Sequence, residues 1–276
     1  MKIVRDVAEV RAAVAGAGRV GLVPTMGAFH EGHLSLIRAA RAHCDQVVVW
    51  LFVNPTQFSE AADLAAYPAD ESRDAALAEA CGTDVLFAPS VAEVYPAGFA
   101  TTVSVAGPSL GYEGAHRPGH FDGVATVVTK MLAMVGPQVA FFGAKDAQQV
   151  AVVRRLVADL QLPVTIEVLP IVREPDGLAM SSRNVHLDAA QRRRATALFR
   201  GLTAARAMCL AGEKDTSLLV GAATAELAAE GIVADYLDVV DPATFTPLSG
   251  VDRPALVIVA AKVGTTRLID NLEVAP

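Results

Sequence analysis

Paired cysteines are absent from this 276-residue chain: Cys44, Cys81 and Cys209 stand far apart and form no Cys-x-x-Cys. That excludes a zinc ribbon and a disulfide framework, and it fits a reducing cytoplasm. Excess positive charge is absent too, since 23 Lys and Arg face 30 Asp and Glu for a formal charge of −7. A nucleic-acid footprint needs a basic face, so nucleic acid is not expected as a partner, and the densest basic cluster, Arg192 to Arg194, reads as a solvated helix face. An apolar run of roughly 20 residues, the length of a membrane span, is missing. The longest, VVVWLFV at 47–53 and ALVIVAA at 255–261, read as buried strands, and MKIVRDVAEVR at the start is too interrupted by charge for a signal peptide. Internal repeats and low-complexity tracts are lacking, as is a phosphate loop ending in Gly-Lys-Ser/Thr. Gly16-Ala-Gly18-Arg-Val-Gly21 spells a dinucleotide fingerprint, but it follows a helical stretch and precedes a strand, the reverse of what phosphate binding requires. It reads as a helix end and turn.

What is present is a core-forming chain, 53% hydrophobic. Continuous apolar segments at 20–24, 46–53, 84–88, 138–142 and 164–169 alternate with helical periodicity at 31–43, 70–81, 122–135 and 146–160. Such alternation predicts an α/β fold, a Rossmann-like parallel sheet with helices on both faces. Beyond it the pattern changes. Asp188 with Gln191 resembles a helix-capping pair, a helical stripe runs to Gly212, a second helix covers about 216–230, and strands at 233–240, 255–262 and 265–269 turn at Gly264. The expected organisation is a larger domain at 1–170 and a smaller α+β domain at 171–276.

The most informative segment is VPTMGAFHEGH at 23–33, a strand running into a glycine turn and then a helix whose first turn carries His30 and His33. Unpaired N–H groups and the positive end of the helix dipole favour an anion there, and imidazole donors add to them. A zinc protease helix needs His-Glu-x-x-His; His-Glu-Gly-His has the wrong spacing, so no protein-bound metal is expected. Two histidines in a surface turn are the bland alternative. Polar groups follow two other predicted strands, at Asn54 to Gln57 and at Gly143 to Gln149, so three motifs meet at the carboxyl edge of one sheet, where ligands bind in such folds.

The segment at 23–33 resembles the signature of the HIGH-type nucleotidyltransferase superfamily. With FVNPTQF at 52–58, EGAHRPGHFDGV at 113–124, FFGAKDAQQ at 141–149 and LAMSSRN at 178–184, the chain resembles the pantothenate synthetase family within it. The resemblance implies an ATP-dependent ligase that condenses (R)-pantoate with beta-alanine through a pantoyl adenylate, releasing AMP and pyrophosphate, with Mg²⁺ on the phosphates and a homodimeric assembly. It also implies the roles of residues. His33 matches the family's catalytic histidine, with His30 beside it; Met26, Gly27, Ala28, Phe29, His30, Glu31, Gly32 and His33 match one ATP-binding segment. Gly143, Ala144, Lys145 and Asp146 match a second, Val172 a further contact, and Met180, Ser181, Ser182 and Arg183 a third.

Lys145 is one of five lysines against eighteen arginines, and directly after a strand it suits a phosphate as a point charge. Asp146 binds a nucleotide hydroxyl or caps the helix; the residues alone do not choose. Gln57 and Gln149 match pantoate-binding positions, where neutral amides recognise a hydroxyl and a carboxylate without repulsion, and Asn54 stands beside the first. Glu113, Arg117 and His120 are expected at the rim or dimer side. Two residues depart from the family pattern: Ala144 replaces its usual glutamate and Thr56 its usual methionine. A nucleotidyltransferase that leaves the adenylyl group on its product, and a non-catalytic nucleotide-binding regulator, are the rival readings.

Overall fold

A computed structural model describes residues 1–58, 64 and 67–276. Contacts between Cα atoms divide the chain into two units, Met1–Ala144 with Val152–Pro170, and Lys145–Ala151 with Ile171–Pro276.

The first unit is built on six parallel strands, β1 (Lys2–Val4), β2 (Val20–Thr25), β3 (Gln46–Leu51), β4 (Val85–Phe87), β5 (Val139–Gly143) and β6 (Thr165–Leu169), in the order β1-β4-β3-β2-β5-β6. The expected parallel sheet is therefore present, with β1 as an edge strand too short to have been read from the sequence. Its central strands are apolar on both faces because helices cover both: Val47, Val48, Val49, Leu22 and Val23 are all fully buried. From β2 the chain moves one way through helix α2 (Glu31–His43) to β3 and helix α3 (Glu71–Ala80) to β4. It then crosses back through α4 (Val91–Val94), α5 (Tyr112–His116) and α6 (His120–Val135) to β5. Right-handed crossovers in opposite directions put α2 and α3 on one face and α6 on the other, where α1 (Val7–Val14) packs against it. The strand order thus reverses between β2 and β5, which is where such sheets open a crevice at their carboxyl ends. The glycines at 16 and 18 follow α1 in left-handed conformations and lead into β2, the helix end and turn expected of them.

In the second unit β7 (Ala234–Val240), β8 (Ala255–Val263) and β9 (Thr266–Val274) form an antiparallel sheet. Helices α9 (Ala197–Leu210) and α10 (Thr216–Ala229) bury Leu198, Leu202, Leu219 and Leu227 against it. Asp188 and Gln191 form the capping box expected at the start of helix α8 (Ala189–Ala195). The stripe of Leu198, Leu202, Ala205 and Cys209 expected to stop near Gly212 is helix α9, which ends at Leu210; α8 stops short of it at Thr196, whose hydroxyl donates to the Arg193 carbonyl at 2.7 Å and accepts from Arg200. Strand β9 also runs five residues beyond the expected 269, because Asp270 and Asn271 interrupt its apolar alternation while staying buried. Helix α7 (Ala147–Asp159) follows β5 through a single 3-10 turn, Ala144–Asp146. Among the described residues no helix is long and apolar enough to cross a membrane.

Candidate functional site

Strand pairing places the ends of β2 and β3 level. Thr25 pairs with Leu51, and β2 pairs with β5 at Gly21 with Val139 and Leu22 with Ala140. The chain leaves Thr25 through two left-handed residues, Gly27 (φ 90°) and Ala28 (φ 54°), the second of which is strained for a residue with a Cβ. Asp74 on α3 holds this conformation. Its carboxylate, only 1% exposed, accepts the N–H of Ala28 at 2.7 Å and of Phe29 at 2.9 Å, while Arg73 donates to the Phe29 carbonyl.

His30 then caps α2. Its Nδ1 accepts the N–H of Gly32 at 3.1 Å, and Nδ1 of His33 accepts the N–H of His30 at 3.4 Å, a reciprocal capping box made by two imidazoles whose centroids lie 4.2 Å apart. An accepting Nδ1 leaves the proton of the neutral ring on Nε2, so both rings carry their N–H on the side away from the helix backbone they cap. Gly32 is required because a Cβ would meet the His30 ring at 2.8 Å. Met26, Ala28, His30, Gly32 and His33 are half-buried, and Gly27 and Phe29 are buried. Glu31 is exposed and its carboxylate pairs with Arg38, which holds it below the ordinary carboxylate range.

Beyond β3, Asn54 caps a single 3-10 turn, Pro55–Gln57. Gln57 is nearly buried, its amide oxygen accepting from Asn54 at 3.1 Å and its nitrogen 3.1 Å from the Met26 sulfur. Asn54 was expected as a substrate contact, but it is 1% exposed and spends its amide inside the protein: the nitrogen donates to Gln57 and Gly123, and the oxygen accepts from Tyr95 at 2.8 Å and from Thr56. Its geometry is that of a residue that orients Gln57. The Tyr95 phenol is pushed up by burial, with hydrogen bonds to Thr56 and Asn54 opposing.

Behind the turn, the Gln57 carbonyl accepts from His120 Nδ1 at 2.9 Å and from Arg117 at 3.3 Å. Glu113 and His120 are buried and Arg117 is half-buried, away from the exposed rim that was one of the two places expected for them, the other being the dimer side. Gly123 lets α6 lie against this turn, since a Cβ would sit 2.5 Å from the Thr56 carbonyl oxygen.

Gly143 ends β5 and Ala144 opens the 3-10 turn, both half-buried and in the same unit. The second unit carries the remaining expected positions. Lys145 is 20% exposed at its side chain, with its ammonium 3.9 Å from Asp146, and its carbonyl accepts from Asn271 at 3.0 Å. Asp146 is exposed in the 3-10 turn, and Gln149 is half-buried near the start of α7, next to the buried Gln148. Val172 accepts from the N–H of Met180 at 3.0 Å, closing a loop whose next pair, Arg173 and Ala179, is also bridged. Ser181 caps the turn Ser182–His186 by accepting from the Arg183 N–H at 3.2 Å, and all four residues from Met180 to Arg183 are half-buried.

The family described as Pantoate-beta-alanine ligase matches residues 2–273. The chain belongs to the pantoate-beta-alanine ligase family. It is 56% identical to the pantothenate synthetase of Chelativorans sp. (strain BNC1), over 99% of this chain and 98% of the relative. It is 53% identical to that of Roseiflexus sp. (strain RS-1), over 98% of each. Among solved structures, a pantothenate synthetase from Thermus thermophilus superposes with a TM-score of 0.96 at 49% identity over 100% of both chains. A pantoate-beta-alanine ligase from Francisella tularensis, complexed with beta-gamma ATP and beta-alanine, does so with a TM-score of 0.79 at 31% identity, over 99% of this chain and 97% of that one.

Sequence reasoning missed Asp74, Tyr95, Asp270 and Asn271. Asp74 had a signal: it shares a helix face with Ala75 and Ala78, both buried, so a carboxylate on that face had to have partners.

Proposed function

We propose that this chain is an AMP-forming ligase that joins (R)-pantoate to beta-alanine. The pantoate carboxylate attacks the α-phosphorus of ATP, the bond to the bridging oxygen breaks, and pyrophosphate leaves. The beta-alanine amine, having lost a proton, then attacks the pantoyl carbonyl and AMP departs. The observation that carries this reading is the family match over residues 2–273 in a chain whose His30 and His33 cap a helix at the sheet's switch point, with Gln57 held beyond the neighbouring strand.

In this mechanism the Nε2–H groups of His30 and His33 and the ammonium of Lys145 stabilise negative charge that grows on the phosphoryl oxygens and on pyrophosphate. Residues 26–33, 143–146, Val172 and Met180–Arg183 bind ATP, with the serine hydroxyls and the Arg183 guanidinium on the outer phosphates. Gln57 and Gln149 bind pantoate, and Asn54 orients Gln57. Magnesium enters as part of the MgATP substrate, on its phosphates. We further propose a cytoplasmic homodimer.

Pantoate-dependent ATP–pyrophosphate exchange tests the reading. Exchange is expected without beta-alanine, and His33→Ala or Lys145→Ala is expected to slow it by about 100-fold, the scale of a lost transition-state donor. Exchange that requires beta-alanine overturns the two-step mechanism, and pyrophosphate release without AMP in the complete reaction selects a simple nucleotidyltransferase instead.

A further inference from the structure

Strand β9 carries two buried polar residues side by side, Asp270 at 3% exposure and Asn271 at 6%. Asp270 takes both terminal nitrogens of Arg173, at 2.6 and 2.9 Å, and accepts the N–H of Asn271 at 2.8 Å. Burial pushes the Asp270 carboxyl up, Arg173 opposes, and the charge of Lys145 acts in the same sense as Arg173. A buried ion pair of this kind is seldom the most stable filling for its site, because apolar residues of similar volume often do as well or better. Its value lies in what it holds in place.

Two segments converge on it within the second unit. Arg173 donates to the Gly177 carbonyl at 3.1 Å and to the Asn271 carbonyl at 3.2 Å, and its guanidinium lies 4.0 Å over the Phe199 ring, so it fixes the loop that begins at Val172. On the other side the Asn271 amide reaches across 126 residues of sequence to the Lys145 carbonyl. Lys145 stands in a one-turn 3-10 segment, which has few backbone bonds of its own to fix the direction of its side chain. We infer that Asn271 is a positioning residue for Lys145: its amide anchors the turn from which the ammonium is presented, and the Arg173–Asp270 pair ties that anchor to the Val172 loop. The inference rests on the reading of Lys145 as a phosphate contact given above.

Asn271→Ala is a clean probe, because Asp270 and Arg173 bind the backbone N–H and carbonyl of residue 271, which alanine keeps. In the full chain, Asn271→Ala is expected to lower pantoate-dependent ATP–pyrophosphate exchange about tenfold, below the full cost of a misplaced catalytic group, with the pantoate KM within twofold. Introduced into Lys145→Ala, the same change is expected to cost less than twofold more, since residues that act through one another are not additive. A merely structural asparagine would cost the same in both backgrounds. Should the alanine variant fail to fold, Asn271→Ser carries the same comparison, its side chain being too short to span the amide's reach. Exchange within twofold of wild type in a folded variant, or an equal loss in the Lys145→Ala background, overturns the inference while leaving Lys145 in the mechanism. Undiminished exchange in Lys145→Ala itself overturns the assigned role of Lys145 and this inference with it.

Discussion

Replacing Asp74 by asparagine keeps the shape of the side chain and changes only what it accepts. The carboxylate receives two backbone N–H groups, from Ala28 at 2.7 Å and Phe29 at 2.9 Å, in a pocket where it is 1% exposed. The amide has one oxygen for two donors, so its own NH₂ group faces a backbone N–H. A charge-assisted hydrogen bond is lost, about 1.5–3 kcal/mol, and a buried N–H is left without an acceptor, a further 1–3 kcal/mol or so. The neighbouring Arg73 lies 3.5 Å away but is more than half exposed, so its share is close to nothing. The expected loss is about 3 kcal/mol, roughly a hundredfold in the folding equilibrium. Urea denaturation of wild type and Asp74→Asn measures it. Because the strained Ala28 loses its support, the ATP KM is expected to rise as well, with the pantoate KM little changed. A stability difference below about 0.5 kcal/mol, within the range of an ordinary surface substitution, would refute the view that this carboxylate holds the turn.

Gly123→Ala is expected to push α6 from the Gln57 turn, because the new Cβ would lie 2.5 Å from the Thr56 carbonyl; the pantoate KM should rise while ATP binding in equilibrium titration stays within twofold. Gln149→Ala is expected to weaken pantoate at least tenfold more than ATP in steady-state kinetics, since a substrate oxygen loses its partner; equal losses would place Gln149 outside the acid site. Burial pushes the Asp241 carboxyl up, but hydrogen bonds from Thr244 and Ala243, with Arg253 alongside, hold it below its ordinary value. Its contribution to stability is therefore present above the unfolded pKa near about 4 and lost as pH falls through the lower folded value. Asp241→Asn should lower the urea midpoint at neutral pH and converge on wild type under strongly acidic conditions.

The alternation of apolar strands and periodic helices carried most of the fold, because a parallel sheet covered on both faces needs continuous apolar strands and tolerates few exceptions. Helix α2 was legible to the residue at both ends, and the hairpin at Gly264 through its glycine, which takes φ 62°. What escaped lay where local pattern and tertiary environment disagree. Lys2–Val4 is too short to have a period, and it is a strand only because β4 offers it an edge. Asp270 and Asn271 read as the end of a strand because polar residues usually mark an end, yet Arg173, 97 positions away in sequence from Asp270, satisfies the carboxylate inside it. Nothing local to either residue announces the partner.

The histidine pair makes the same point from the other direction. A spacing of three excluded the zinc helix but left open two histidines in a surface turn. The structure accounts for the spacing: it is the distance from the cap of a helix to its third residue, and each ring accepts a backbone N–H that helix formation leaves unpaired. The glycine between them is there because the first ring folds over it, and Asp74 takes the two N–H groups that lie before the cap. The first turn thus spends several backbone donors inside the protein, and the function proposed above assigns the phosphates to the imidazoles. Under that proposal histidine suits the position because one side chain can cap the helix through Nδ1 and carry an N–H at Nε2; serine or aspartate would cap as well but has no side-chain nitrogen to offer.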